Sequence, residues 1–185
     1  MRSLIVLFAA FLFAATASLA PAADMTSCGC DFAHEGVSAK KECVLSVIAG
    51  LQPSWEAAFL LKDNSADKPH QWLALPRGEY GGASPLSLMK DSERLALWSI
   101  AAQKGQELFG NNWALAMNGR DRSQCHLHVH IGMFKPAEEK GGGLLVDSLD
   151  QIPAPTDGNG VWVHPQGGKL HVHTGEVATE YVLEK

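Results

Sequence analysis

The sequence predicts an α+β fold, a mainly antiparallel sheet carrying one long helix, and three observations predict it. Strand-like runs come in pairs across polar or glycine-rich turns, at 57–62 with 70–76, 113–117 with 125–134, and 161–164 with 170–173. One stretch, near 91–108, has helical spacing and helix end signals. No internal repeat beyond a short His-x-His recurrence divides the 185 residues, so one domain is expected after the leader, over 24–185, with a C-terminal hairpin at about 161–183.

The chain opens on a different kind of sequence. Residues 1–23 begin with Arg2, continue through an unbroken apolar run from Leu4 to Phe13, and end in small residues. Ala20-Pro21-Ala22 has the form of a signal-peptidase site, so the segment reads as an export signal cut near Ala22 or Ala23. The 21 uncharged residues from Ser3 to Ala23 also leave an uncleaved membrane anchor open. Either way the domain is expected outside the cytoplasm, in the periplasm or on the outer face of the inner membrane. A hydrophobic fraction of 46% excludes a disordered chain, and a net charge of −5 argues against nucleic acid as partner.

Residues 24–42 are polar and read as an irregular arm held by cysteines. Cys28, Cys30, Cys43 and Cys125 are an even set, which in an oxidising compartment suggests disulfides. Cys28 or Cys30 with Cys43 is favoured, because a Cys28–Cys30 bridge would close a strained loop. Zinc is the other reading of Cys-x-Cys plus a third Cys, though the spacing is not a finger spacing.

Cys43 to Leu51 predicts a short helix stopped by Gly50 and Pro53. Ala57–Lys62 and His70–Pro76 follow as a hairpin with a polar loop at 63–69, and Gly78–Pro85 is a loop. The long helix is expected from Asp91 or Ser92, one of them the N-cap, to Leu108, with Gly110 beyond its end. Leu95, Trp98, Ala102 and Leu108 are its expected apolar face. Trp113–Met117 and Cys125–Phe134 are strands around the polar loop 118–124. Gly141–Gly143 and Pro153–Gly160 are linkers, and 161–164 with 170–173 form a hairpin across Gly167-Gly168.

The chemistry concentrates in His126-Leu127-His128-Val129-His130-Ile131. On a strand, alternation sends three imidazoles to one face and three aliphatics to the other. Burying three unpartnered imidazoles would be costly, so a lined cleft is expected. Two chemistries fit. His at i and i+2 can share a metal, with His130, His171 or a carboxylate as third ligand, as in a cupin-like module. Alternatively one imidazole attacks phosphorus while cations and N–H donors neutralise the phosphate oxygens. Arg120 and Arg122 just upstream, with Ser123, favour the phosphate ligand, since guanidinium groups suit phosphate and repel a metal cation.

The block Asn118 to His130, with a hydroxyl residue three positions before a His-φ-His-φ-His run, resembles the histidine-triad (HIT-like) superfamily. Within it, Asn118, Arg122-Ser123-Gln124 and the His run look like the bacterial CDP-diacylglycerol pyrophosphatases. Leu61-Lys62-Asp63, Ala74-Leu75-Pro76, Ser84-Pro85-Leu86 and a Trp-bearing helix extend the likeness to about 43–136. The resemblance implies that His128 attacks the nucleotide-side phosphorus, that His126 and His130 bind phosphate oxygens and hold the ring, and that Ser123 donates to the phosphate or leaving group. Lys62, Asp63, Asn118, Arg120 and Arg122 would bind substrate, Asp63 at the ribose. Water would release CMP and phosphatidic acid, with no metal or other cofactor required. The implied partner is a lipid-nucleotide at a membrane surface, and a homodimer would be in keeping with the superfamily.

Two departures stand out. Pro76 is followed by Arg77-Gly78-Glu79 where many triad hydrolases carry a further His, and the region after Phe134 is short and Gly-rich. The second puts the lipid half of the substrate in question, so another exported nucleotide conjugate is the alternative substrate. His164, His171 and His173 form a second group, expected as incidental His on an exposed hairpin, with His171 and His173 the candidates to join the cleft. Cys125 should point away from the triad face.

Overall fold

Runs of alternating apolar residues pair into strands wherever a turn brings them together. The computed structural model describes residues 23, 24, 28, 30, 41–78, 80–82 and 85–185; the leader up to Ala22, Ser84 and most of the polar arm lie outside them. In chain order the described strands are β1 (Ala23–Asp24), β2 (Ala58–Lys62), β3 (Trp72–Pro76), β4 (Trp113–Met117), β5 (Asp121–Arg122), β6 (Val129–Met133), β7 (Leu144–Val146), β8 (Val161–Gln166) and β9 (Lys169–Thr174). The helices are α1 (Val44–Gly50) and α2 (Asp91–Phe109). The fold is α+β: seven strands form an antiparallel sheet in the order β2-β3-β6-β4-β8-β9-β7, and β1 pairs with β5 in a separate short ladder.

Residues opposite one another in register share a face. Leu73, His130, Ala116, Trp162 and His173 are aligned across β3, β6, β4, β8 and β9, so all five side chains lie on one face. Ile131, Leu115, Val163 and Val172 form the corresponding row on the other. That second face packs against α2, with Leu97, Trp98 and Ala101 in the same core as Leu127, Val129 and Ile131. Trp98 is 1% exposed; burying a side chain of this size stabilises the fold by about 2–3 kcal/mol. Gly105 lets the last turns of α2 approach the sheet, because a Cβ there would lie 2.9 Å from the Trp113 Cβ.

The opposite face is covered in two pieces. Leu45 and Ala49 of α1 pack on Phe59, Leu73 and Leu75, while Val182 and Leu183 of the C-terminal segment pack on Ala114, Ala116 and Trp162. Between these covers the face bearing His130 opens into a cleft.

Several expectations are corrected in detail. α2 is capped by Lys90, not Asp91 or Ser92: Lys90 is extended, and its N–H donates to the Glu93 carboxylate at 3.1 Å. The buried stripe of α2 is Leu97, Trp98, Ala101 and Gly105; Leu95 and Leu108 are exposed. The His strand starts at Val129 rather than Cys125, because Cys125 N–H donates to Glu42 O and Leu127 N–H to Tyr80 O, each at 2.7 Å, partners in loops rather than in a ladder. Gly141–Gly143 leads into the edge strand β7, whose three residues are too few to show an alternation. The terminal hairpin ends at Thr174; the chain then turns back, and Phe134 bridges to Leu183.

The disulfides are Cys30–Cys43 and Cys28–Cys125. The first is among the expected pairings, and both suit an oxidising compartment. Among the described residues no helix is long and apolar enough to cross a membrane.

Candidate active site

The alternation of the His block decides where its side chains go. Leu127, Val129 and Ile131 enter the core under α2, while His128 and His130 turn to the other face, ring centroids 4.8 Å apart. They line a cleft of about 320 Å³ whose other walls are Lys62, Asp63 and Lys68 from the β2–β3 hairpin, Ser123 and Gln124 before the His block, and Val44, Leu45 and Ile48 of α1.

His128 is held by its own chain. Its Nδ1 lies 2.9 Å from the carbonyl of His126; a carbonyl can only accept, so Nδ1 carries the proton and Nε2 keeps its lone pair. Burial, reinforced by neighbouring His130 and Arg122, pushes the His128 pKa down to about 3. The ring is therefore neutral at neutral pH, the form that can act as a nucleophile.

His130 sits between two carboxylates. Its Nε2 is 3.3 Å from Glu180 and its Nδ1 is 3.9 Å from Asp63. Burial, with the charge of Lys68, outweighs Asp63 and takes its pKa down to about 3 as well. Glu180 is also paired with Lys68. Burial raises the Asp63 carboxyl, but hydrogen bonds from Ser65 and the charges of His130 and Lys68 outweigh it and hold Asp63 below its ordinary value.

The expected site residues thus divide. His128, His130, Lys62, Asp63 and Ser123 meet at the cleft, with Lys62 and Ser123 exposed at its rim. His126 is fully buried and outside the lining; its Nε2 donates to Pro76 O at 2.8 Å, and what it offers His128 is its backbone carbonyl. Asn118 faces the C-terminal segment, where its Oδ1 accepts from the N–H groups of Thr179 (2.7 Å) and Glu180 (3.1 Å). It positions Glu180, and through Glu180 the His130 ring. Arg120 is exposed away from the lining, its backbone N–H donating to Gly158 O at 2.8 Å.

Arg122 differs most from expectation. It is 3% exposed, and its guanidinium donates to the carbonyls of Gln124 (3.0 Å), Gly82 (2.6 Å), Cys125 (3.1 Å) and Gly119. Burial lowers its pKa to about 10, so it stays charged, but its donors serve the loops that present the His block. Among the described residues, the cations in the cleft lining are Lys68 and, at the rim, Lys62, whose register partner Trp72 belongs to the helix-bearing face. Lys68 and Glu180 have no sequence signal: one sits in a polar turn, the other in a C-terminal segment without a motif.

Gln124 connects this block to α1. Its Oε1 accepts from Leu45 N–H at 3.2 Å and its Nε2 donates to Lys41 O at 2.9 Å. The Cys28–Cys125 disulfide fixes the same stretch, and Cys125 is buried.

The second His group neither joins the cleft nor lies exposed. His164, His171 and His173 are 5–7% exposed. They lie on β8 and β9, two and three strands from β6, which at sheet spacing is about 10–14 Å from the His130 strand. Glu139, in the connection between β6 and β7, closes over them. The chain matches no protein-family model and no curated protein sequence.

Proposed function

We propose that this chain is a HIT-like, histidine-dependent diphosphate hydrolase whose substrate is CDP-diacylglycerol, acting at the outer face of a membrane. Its main support is the His126 O···His128 Nδ1 hydrogen bond, which fixes the tautomer of a neutral imidazole and leaves Nε2 as the attacking atom. In the first step Nε2 bonds to the cytidine-side phosphorus, the bond from that phosphorus to the bridging oxygen breaks, and phosphatidate leaves with the oxygen. Water then attacks the same phosphorus, the P–N bond breaks, and CMP departs while the water proton passes to a cleft base. Glu180, whose Oε2 is 3.3 Å from His130 Nε2, is the carboxylate we assign to that role.

Lys62 and Lys68 supply positive charge for the diphosphate. The apolar side of the cleft suits the glycerolipid half: Val44 and Ile48 line it, and the exposed Leu51 extends the same helical stripe. The test is direct. Mixed micelles of CDP-diacylglycerol should yield equimolar CMP and phosphatidate with the wild type and neither with His128→Ala. Turnover of short nucleotide diphosphates in preference to the lipid would move the substrate to a soluble conjugate, and no hydrolysis of either would overturn the proposal.

A further inference from the structure

We propose that Glu139, His164, His171 and His173 form a binding site for one divalent transition-metal ion, with zinc the best match to the donor set. The site is separate from the cleft, and nothing in it depends on the hydrolase proposal. One nitrogen from each imidazole and a Glu139 oxygen all lie within 4.8 Å of one another. A tetrahedral ion with bonds of about 2.0–2.1 Å holds its ligand atoms about 3.3–3.4 Å apart. His171 Nδ1 is 3.2 Å from Glu139 Oε1, His173 Nε2 is 3.4 Å from the same oxygen, and His173 Nε2 is 3.4 Å from His171 Nδ1. Three edges of the tetrahedron are therefore already close to the required length.

Two of the three tautomers point the same way; His173 Nε2, which donates to His171 Nδ1, would give up its proton as the ion binds. His164 Nδ1 lies 3.1 Å from Pro165 O and His171 Nε2 lies 2.7 Å from Gly142 O. Carbonyls only accept, so those nitrogens carry the protons and the lone pairs fall on His164 Nε2 and His171 Nδ1, the atoms that face Glu139. A metal-bound His characteristically donates its other N–H to a carbonyl in this way. His164 Nε2 is 2.7 Å from Glu139 Oε2, yet the contact lacks hydrogen-bond geometry, and both His164 Nε2 and Glu139 Oε1 are buried without a hydrogen-bond partner. Lone pairs gathered on a carboxylate in a buried site repel one another, and a cation at their centre removes that cost.

The surroundings hold the rings in place. His173 stacks on Trp162 at 3.8 Å and 3°, and His164 on Phe134 at 4.1 Å and 9°. Gly143, at φ 87°, lets its loop pass directly over the pair; a Cβ there would lie 2.6 Å from His171 Nε2 and 3.0 Å from His173 Nε2. Three imidazoles and one carboxylate suit zinc and its first-row neighbours rather than magnesium or calcium, which prefer all-oxygen shells. With four protein ligands the ion would clamp the 139–143 connection onto the terminal hairpin.

The test uses the purified full chain, stripped with chelator and titrated with Co²⁺ and then Zn²⁺ at pH 7.5. One equivalent of Co²⁺ should give the visible bands of a four-coordinate N/O site, and zinc should displace it and raise Tm. His171→Ala and the nearly isosteric Glu139→Gln should each weaken binding at least tenfold, while His128→Ala leaves it intact; circular dichroism confirms that each variant is folded. Absence of saturable binding would overturn the proposal. So would binding lost in His128→Ala but kept in the Glu139 and His171 variants, which would assign the ion to the cleft.

Discussion

Two groups of histidines share one face of one sheet and differ in what surrounds them. In the cleft, His128 and His130 share the lining with Lys68, with Lys62 at the rim, and the carboxylate nearest His130 is already paired with Lys68. On the terminal hairpin, the ion contacts of Glu139 among the described residues are with His164, His171 and His173. On the two proposals above, the same side chain on the same scaffold takes opposite ligands, an anion in one place and a cation in the other. The neighbouring charges decide between them, and a His count cannot.

The largest effect should come from the cleft. His128→Ala is expected to lower CMP release on the order of 10³-fold or more while leaving Tm within a few degrees, because the proposed nucleophile has no substitute. Equal loss of activity and of fold would make His128 a packing residue and remove the distinction.

Next comes the framework that presents the His block. The Cys28–Cys125 disulfide joins residues 97 apart in sequence, and a loop of that length predicts about 3–5 kcal/mol of stabilisation. Cys28→Ser with Cys125→Ser should reduce the denaturation free energy by that amount in urea unfolding. Arg122→Met should cost about 2–4 kcal/mol, because four carbonyls, two of them in buried and two in half-buried bonds, lose a charged donor. The loss should appear as a lower Tm; a raised KM at unchanged Tm would instead return Arg122 to the phosphate.

Acid should expose the buried imidazoles. His128 and His130 have folded pKa values of about 3 against about 6.5 unfolded. Between those values the unfolded chain binds more protons than the folded one, so their contribution to stability is present above about pH 6.5 and lost as pH falls toward 3. Tm should already decline between pH 6.5 and 5, before carboxylates titrate, and more shallowly in His128→Asn. The smallest effect is at the rim, where Lys62→Ala should raise KM a few-fold, less so at high salt, as expected of an exposed charge.

Much of the scaffold was legible because its signals are local. Short apolar runs marked β2 and β4, alternation marked β3, runs straddling Gly167-Gly168 marked β8–β9, and spacing with Gly110 marked α2 within a residue at each end. The apolar stripe of α2 was right at Trp98 but rotated at its ends, since Leu95 and Leu108 look like core from spacing and are exposed, while Leu97 and Ala101 are buried. At the site, the His face followed from period two, and Lys62, Asp63 and Ser123 reach the cleft. What sequence could not supply is long-range. Glu180 is 50 residues from His130 in the chain, and Lys68 and Glu139 lie in loops whose polar composition is ordinary. Arg122 misled because a phosphate fork and a carbonyl anchor have the same residue type, and burial alone separates them.

The most direct measurement is chemical. CDP-diacylglycerol labelled at the cytidine-side phosphate, mixed briefly with excess protein and quenched in alkali, where a P–N bond survives, should leave label on the peptide carrying His128. Label there, released by acid and missing from His128→Ala, is the predicted result. Hydrolysis that proceeds at an undiminished rate without label on His128, or in its absence, would contradict the covalent role of this histidine.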